Sequence, residues 1–187
     1  LHAAAHQIRA GDADLVVAGG VEVMSQVPIA SPTRLGLEAG MAHPRGGAKW
    51  TARYGKEEIL QFRGAELIAE RWGLDRERMD HFAVESHRRA IASTAAGDFE
   101  AEIAPLAELA VDEGPRPGTS VDRLAGLAPL RPGGRITAAL ASQVSDGAAA
   151  LLVASDRAVD QHRLTPLARV HTMAVVGSDP VLMLTGP

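Results

Sequence analysis

The sequence predicts an α/β fold in which a layered core is interrupted by a long, mostly helical insertion. Three observations carry that expectation. The chain opens on a helical pattern, a turn and a short apolar run, the order found where helices cover a sheet. From Val27 the texture changes to Pro28, Pro32 and Pro44 among scattered glycines, too long a stretch for an ordinary loop. Beyond about residue 131, strand-like and helical patterns alternate again. The expected division is a first part of the core at 1–27, an inserted domain at 28–130 and a second part of the core at 131–187.

The elements follow in order. Leu1, Ala4, Ala5 and Ile8 share one helical face, and Gly11 is placed to stop that helix. Leu15, Val16, Val17 and Ala18 form an apolar run closed by Gly19 and Gly20, which reads as a fully buried strand. Residues 57–72 read as a helix ended by Gly73. The next helix is capped by Asp75 and carries Met79, Phe82, Ala83, Ser86 and Ala90 on one face before Gly97. Residues 99–106 read as a short strand, 112–119 as a polar loop and 121–127 as a brief helix. Residues 136–139 are strand-like, Asp146 and Gly147 suggest a turn, and 148–154 a buried strand. Ser155 caps a helix reaching about His162, and 167–176 alternate like a further strand.

Composition excludes several functional classes. The 187 residues are 46% hydrophobic and 22% charged, an ordinary globular balance. A net charge of -4 offers no overall basic field for nucleic acid. No apolar run approaches the length of a membrane span, and no secretory leader pattern is present. The absence of Cys removes disulfides, zinc–thiolate sites and a cysteine nucleophile from these residues. A cytoplasmic location is the default expectation. Leu1 begins inside a helical pattern without a cap, and Thr185, Gly186 and Pro187 form a turn signal, so both ends read as cuts in a longer polypeptide.

Local chemistry taken alone is sparse. His2 and His6 have the i, i+4 spacing of metal ligands, but Ala3, Ala4 and Ala5 between them supply no general base. They read as ordinary helix histidines, and no metal is expected. Gly19 and Gly20 lack the spaced third glycine of a dinucleotide fingerprint. Glu22, Asp80 and Glu85 are carboxylates with no paired partner visible in sequence. Arg45, Lys49, Arg53 and Lys56 make a basic island that suits either a phosphate-bearing ligand or a solubilising surface.

Four ordered stretches resemble the thiolase family. The first is His6, Gln7 and Ile8 with Gly11, Asp12 and Ala13, leading into 16–25. The second is 65–74 continuing to 80–87, and the third is 112–119 with Leu124 and Ala125. The fourth is 136–139 followed by 141–149, and the tail 176–187 is similar to the family's end of its first core domain. The resemblance implies a partial αβαβα core with an inserted loop domain, the C-terminal core domain lying outside the chain.

It also implies a reaction: CoA-dependent acyl transfer by the full-length protein, either thiolytic cleavage of a 3-ketoacyl-CoA or condensation of acyl-CoAs. A nucleophilic Cys is expected just before Leu1, at a helix N-terminus where the dipole favours thiolate. A His and a second Cys are expected after Pro187, so no catalytic residue falls within the chain and the chain alone is expected to be inactive. Ser142 aligns with a serine that contacts the pantetheine arm of coenzyme A, and Arg116 with a basic residue near its nucleotide end. Coenzyme A or acyl-CoA enters as substrate, with no covalently bound cofactor, and a homodimer or homotetramer is the implied assembly. Phe62, Leu140 and Arg123 depart from the family pattern, Phe62 near the implied acyl entrance. The competing reading is a thiolase-like scaffold or lipid-carrier-associated protein without turnover.

Overall fold

A computed structural model describes residues 1–107 and 109–186, which form two compact units. The first contains Leu1–Gly47 and Val144–Gly177; the second contains Ala48–Gln143 and the tail after Gly177.

In the first unit, α1 (His2–Ala10) buries only Ala4 and Ala5, small side chains that allow close approach to a sheet. Gly11 adopts φ 80 and the Gly11 and Asp12 amides donate to the carbonyls of Ile8 and Gln7, closing the helix in a Schellman-type cap. The strands β1 (Leu15–Val23) and β2 (Asp146–Ala154) pair antiparallel, from Leu15 opposite Ala154 to Val23 opposite Asp146. Between them in sequence come α2 (Ser31–Glu38) and α3 (Ala48–Tyr54), the latter belonging to the second unit.

Several expectations need correction here. Gly19 and Gly20 do not end the strand but lie inside β1, and Asp146 and Gly147 pair within β2 instead of turning. Neither strand is fully buried: Val17 and Val21 are each 72% exposed, Leu151 52% and Leu152 55%. Their apolar run has the pattern of a sheet covered on both faces. Within this unit the ribbon is contacted mainly by α1 and by α7 (Asp156–His162). Residues 167–176 form no strand; Arg9 instead donates to the carbonyls of Val170 at 2.8 Å and His171 at 3.2 Å.

Gly19 has a reason to be glycine. A Cβ there would lie 2.7 Å from the Ala149 carbonyl oxygen, whereas one at Gly20 meets nothing within 4 Å. Gly19→Ala is therefore expected to destabilise by about 1–3 kcal/mol, the usual cost of overpacking. Gly20→Ala serves as the control and is expected to be neutral or stabilising, because it removes backbone freedom from the unfolded chain. Urea midpoints of the two variants decide the matter; equal midpoints would contradict the close approach.

Two carboxylates fasten the ends of the ribbon. Asp146 accepts from the Ser25 hydroxyl at 2.6 Å and the Ser25 amide at 2.9 Å, which holds its carboxyl below the usual range. Asp14 pairs with Arg157 and accepts from the Ser155 hydroxyl at 2.7 Å, and its carboxyl is lowered for those reasons in that order. The Ser155 oxygen also caps α7 by accepting the Ala158 amide, as its sequence position predicts.

The second unit is built on α4 (Gln61–Arg71) and α5 (Arg76–Ala96). Asp75 caps α5 by accepting the Arg78 amide at 2.8 Å, and Gly97 closes it at φ 79. The core is small: Ala69, Met79 and Ile136 are buried, with Ala65, Leu74 and Leu140 packed against them. On the solvent side of α5, Arg88 and then Arg89 pull the Glu85 carboxyl down to about 2.

Residues 99–106 are not a strand. The amides of Glu102 and Ile103 donate to the Phe99 carbonyl, forming turns, and only Leu106 bridges Leu109. Residues 136–139 fail for a different reason. One oxygen of Glu66 accepts the Arg135 amide at 2.7 Å and the Ile136 amide at 2.8 Å, so a side chain occupies the donors a strand would use. Thr137 makes an isolated bridge to Pro129, and Ala138–Leu140 is a 3-10 turn. The brief helix expected at 121–127 is α6 (Val121–Ala125), capped by Ser120.

Candidate functional site

A cavity of about 460 Å³ lies within the second unit. Its helical wall is the α5 face bearing Phe82, Ala83, Ser86 and His87. Leu124 of α6, Leu127, and Arg116 and Thr119 of the preceding loop also line it, and residues 138–143 complete it. Ser142 and Arg116, selected from sequence for different ends of one ligand, thus stand on the walls of the same cavity. Among the described residues no carboxylate lines it.

The loop owes its shape to its sequence. Gly114, Pro115, Arg116, Pro117 and Gly118 contain two prolines, which have no amide hydrogen to donate. Gly118 sits at φ 75, a region glycine enters freely. Asp112 accepts the Gly114 amide at 3.1 Å, and Gln143 donates through Nε2 to the Gly114 carbonyl at 2.7 Å. The Arg116 amide donates to Nδ1 of His87 at 3.1 Å, while the Thr119 hydroxyl donates to the Arg116 carbonyl at 2.7 Å. Arg123 donates to the Gly118 carbonyl at 3.1 Å, which occupies it in holding the loop.

The α6 side is fixed by Arg76. Its guanidinium donates to the Leu124 carbonyl at 2.9 Å and the Leu127 carbonyl at 3.4 Å, and pairs with the buried Asp80 at 3.2 Å. Asp80 is therefore a structural carboxylate, and Glu85 is engaged by two arginines. Glu22 lies in β1 opposite Gly147.

Arg116 and Ser142 differ from these bound groups. Both are exposed, and neither the Arg116 guanidinium nor the Ser142 hydroxyl engages another protein group among the described residues. Sequence reasoning passed over His87, Gln143 and Thr119 as site residues. His87 follows Ser86 on the helical face already singled out, and that proximity is the available signal. Phe62 is partly exposed and does not line the cavity, whereas Leu140 does.

Other candidates lie elsewhere. His2 and His6 stack with ring centroids 6.3 Å apart in the first unit, and no cluster suited to a metal occurs among the described residues. Of the basic island, Arg53 lies over the Tyr54 ring at 5.2 Å, and none of the four side chains lines the cavity. No helix among the described residues is long and apolar enough to cross a membrane.

Residues 1–157 match the family described as thiolase, N-terminal domain, a span that includes both cavity residues chosen from sequence. The chain belongs to the thiolase family. It is 52% identical over 188 residues to a steroid 3-ketoacyl-CoA thiolase, FadA6, of Mycobacterium tuberculosis, covering 98% of this chain and 46% of that protein. It is 40% identical to a 3-ketoacyl-CoA thiolase of Escherichia coli over 100% of this chain and 48% of the relative. An Enterobacter 3-ketoacyl-CoA thiolase is 39% identical with the same coverage. The chain thus spans about half the length of these thiolases. Its mixed helix and strand content agrees with the expected α/β class.

Proposed function

We propose that the protein containing this chain catalyses CoA-dependent acyl transfer, cleaving a 3-ketoacyl-CoA with coenzyme A or condensing acyl-CoAs in reverse. In this reading residues 1–27 and 131–187 belong to an αβαβα core, and 28–130 to an inserted loop domain. The chain supplies scaffold and one wall of the CoA channel. The nucleophilic Cys precedes Leu1, and the catalytic His and second Cys follow Pro187. The protein works in the cytoplasm as a homodimer or homotetramer. The similarity to 3-ketoacyl-CoA thiolases, one of them a steroid 3-ketoacyl-CoA thiolase, supports a 3-ketoacyl-CoA as substrate.

The observation that carries the reading is the shared cavity. Ser142 presents a free hydroxyl, able both to donate and to accept, toward a ligand such as the pantetheine arm with its amides. Arg116 lines the same cavity, where no carboxylate occurs among the described residues, and phosphate is the fitting counter-charge for its guanidinium.

In the full-length enzyme, Arg116→Ala is expected to raise KM for coenzyme A with kcat nearly unchanged. The expected loss is about 1–3 kcal/mol, that of a charged hydrogen bond. Ser142→Ala should act in the same direction with a smaller effect, since a neutral hydrogen bond is worth less. Wild-type CoA affinity in the Arg116 variant at low salt would remove that residue from the site. Turnover absent in an otherwise folded full-length protein would favour the scaffold reading instead.

A further inference from the structure

We propose that His87 is a positioning residue for ligand binding, acting through the backbone of Arg116. The inference rests on the reading of Arg116 as a contact to a phosphate of coenzyme A.

The loop that carries Arg116 is short of backbone donors. Between Gly114 and Gly118, Pro115 and Pro117 have no amide hydrogen, so the Arg116 amide is the central donor of the loop. Its acceptor is Nδ1 of His87 at 3.1 Å, across 29 residues of sequence. The other bonds on the loop run within it, or to Gln143 and Arg123. Among the described residues, the His87 bond is the polar tie from α5 to this loop. A ring nitrogen that accepts must carry a lone pair, so His87 holds its proton on Nε2 while the tie is made.

The consequence is positional. Arg116 is flanked on both sides by residues of fixed φ, so its Cα follows its amide closely. Releasing the amide frees the loop against α5 and moves the guanidinium relative to Ser142; the double variant below separates this displacement from a direct contact of the His87 ring. His87 is half-buried and lines the cavity beside Ser86, on a 21-residue helix that gives it a firm base.

Steady-state kinetics of the full-length enzyme with coenzyme A as the varied substrate test this. His87→Ala is expected to raise KM for coenzyme A about three- to tenfold, the effect of one hydrogen bond, with kcat held. His87→Asn should stay within about twofold of wild type, because an amide oxygen can replace Nδ1 as acceptor. In the double variant, His87→Ala should add nothing to Arg116→Ala, since placing an absent guanidinium has no value. Thermal unfolding of each variant separates misfolding from displacement, and the Asn variant keeps the test open if the Ala variant unfolds. If Arg116→Ala raises KM and His87→Ala does not, or if their effects multiply, the His87 inference fails alone. If Arg116→Ala leaves KM unchanged, the phosphate reading of Arg116 fails, and this inference with it. Equal losses in the Ala and Asn variants would also overturn it.

Discussion

Arg76→Ala is expected to destabilise the protein by about 3–5 kcal/mol, the usual cost of removing one partner from a buried ion pair. The Asp80 side chain is 3% exposed and that of Arg76 26%, so their pairing at 3.2 Å is largely shielded from water. One oxygen of Asp80 already has no partner, and removing the guanidinium strands the other. The same change releases the Leu124 and Leu127 carbonyls, loosening the α6 border of the cavity. The paired replacement Arg76→Met with Asp80→Leu should recover much of the loss, because it removes the buried charge as well as its partner. Urea midpoints of the two variants and of the wild type make the comparison. A midpoint for Arg76→Ala close to wild type would show that water, not Arg76, stabilises Asp80.

The 187-residue chain by itself is expected to cleave acetoacetyl-CoA no faster than buffer containing coenzyme A. It has no Cys, and the proposed reaction forms its acyl-enzyme on a cysteine sulfur. Loss of a nucleophile in a comparable two-step mechanism costs on the order of 10⁶-fold in kcat. Loss of the acetoacetyl-CoA enolate absorbance above a protein-free control would overturn the assignment of the nucleophile to a residue outside the chain. Cavity residues such as Ser142 can contribute binding, but without an acyl acceptor binding energy has no chemical step to accelerate.

How far these features are legible in sequence depends on the range of the forces involved. Asp75, Ser155, Gly11 and Gly97 could be placed as caps because each acts on backbone within a few residues. Strands could not be read so safely. The strand-like texture of 136–139 and the alternation of 167–176 report fit to a pleat, yet Glu66 claims amides at the start of one segment and Arg9 the carbonyls of the other. The helix α2 lies inside the Pro- and Gly-scattered stretch, where no helix is expected; Pro32 sits in its first turn, where proline is tolerated. Ser142 and Arg116 came from resemblance, but their common cavity is a property of the fold. His87 and Gln143 reach the loop across 29 residues each, a separation that periodicity does not encode.

The two prolines around Arg116 also bear on the thermodynamics of recognition. A flexible basic loop loses backbone freedom when it closes on an anion, at roughly 1–2 kcal/mol per residue ordered. Pro115 and Pro117 remove much of that freedom before any ligand arrives, and Arg116, preceding a proline, is biased to extended backbone. Most of the remaining entropic cost lies in the arginine side chain. The loop is therefore a stiff bracket, and in the proposed reading its share of the affinity for coenzyme A would reside in preorganisation as much as in charge.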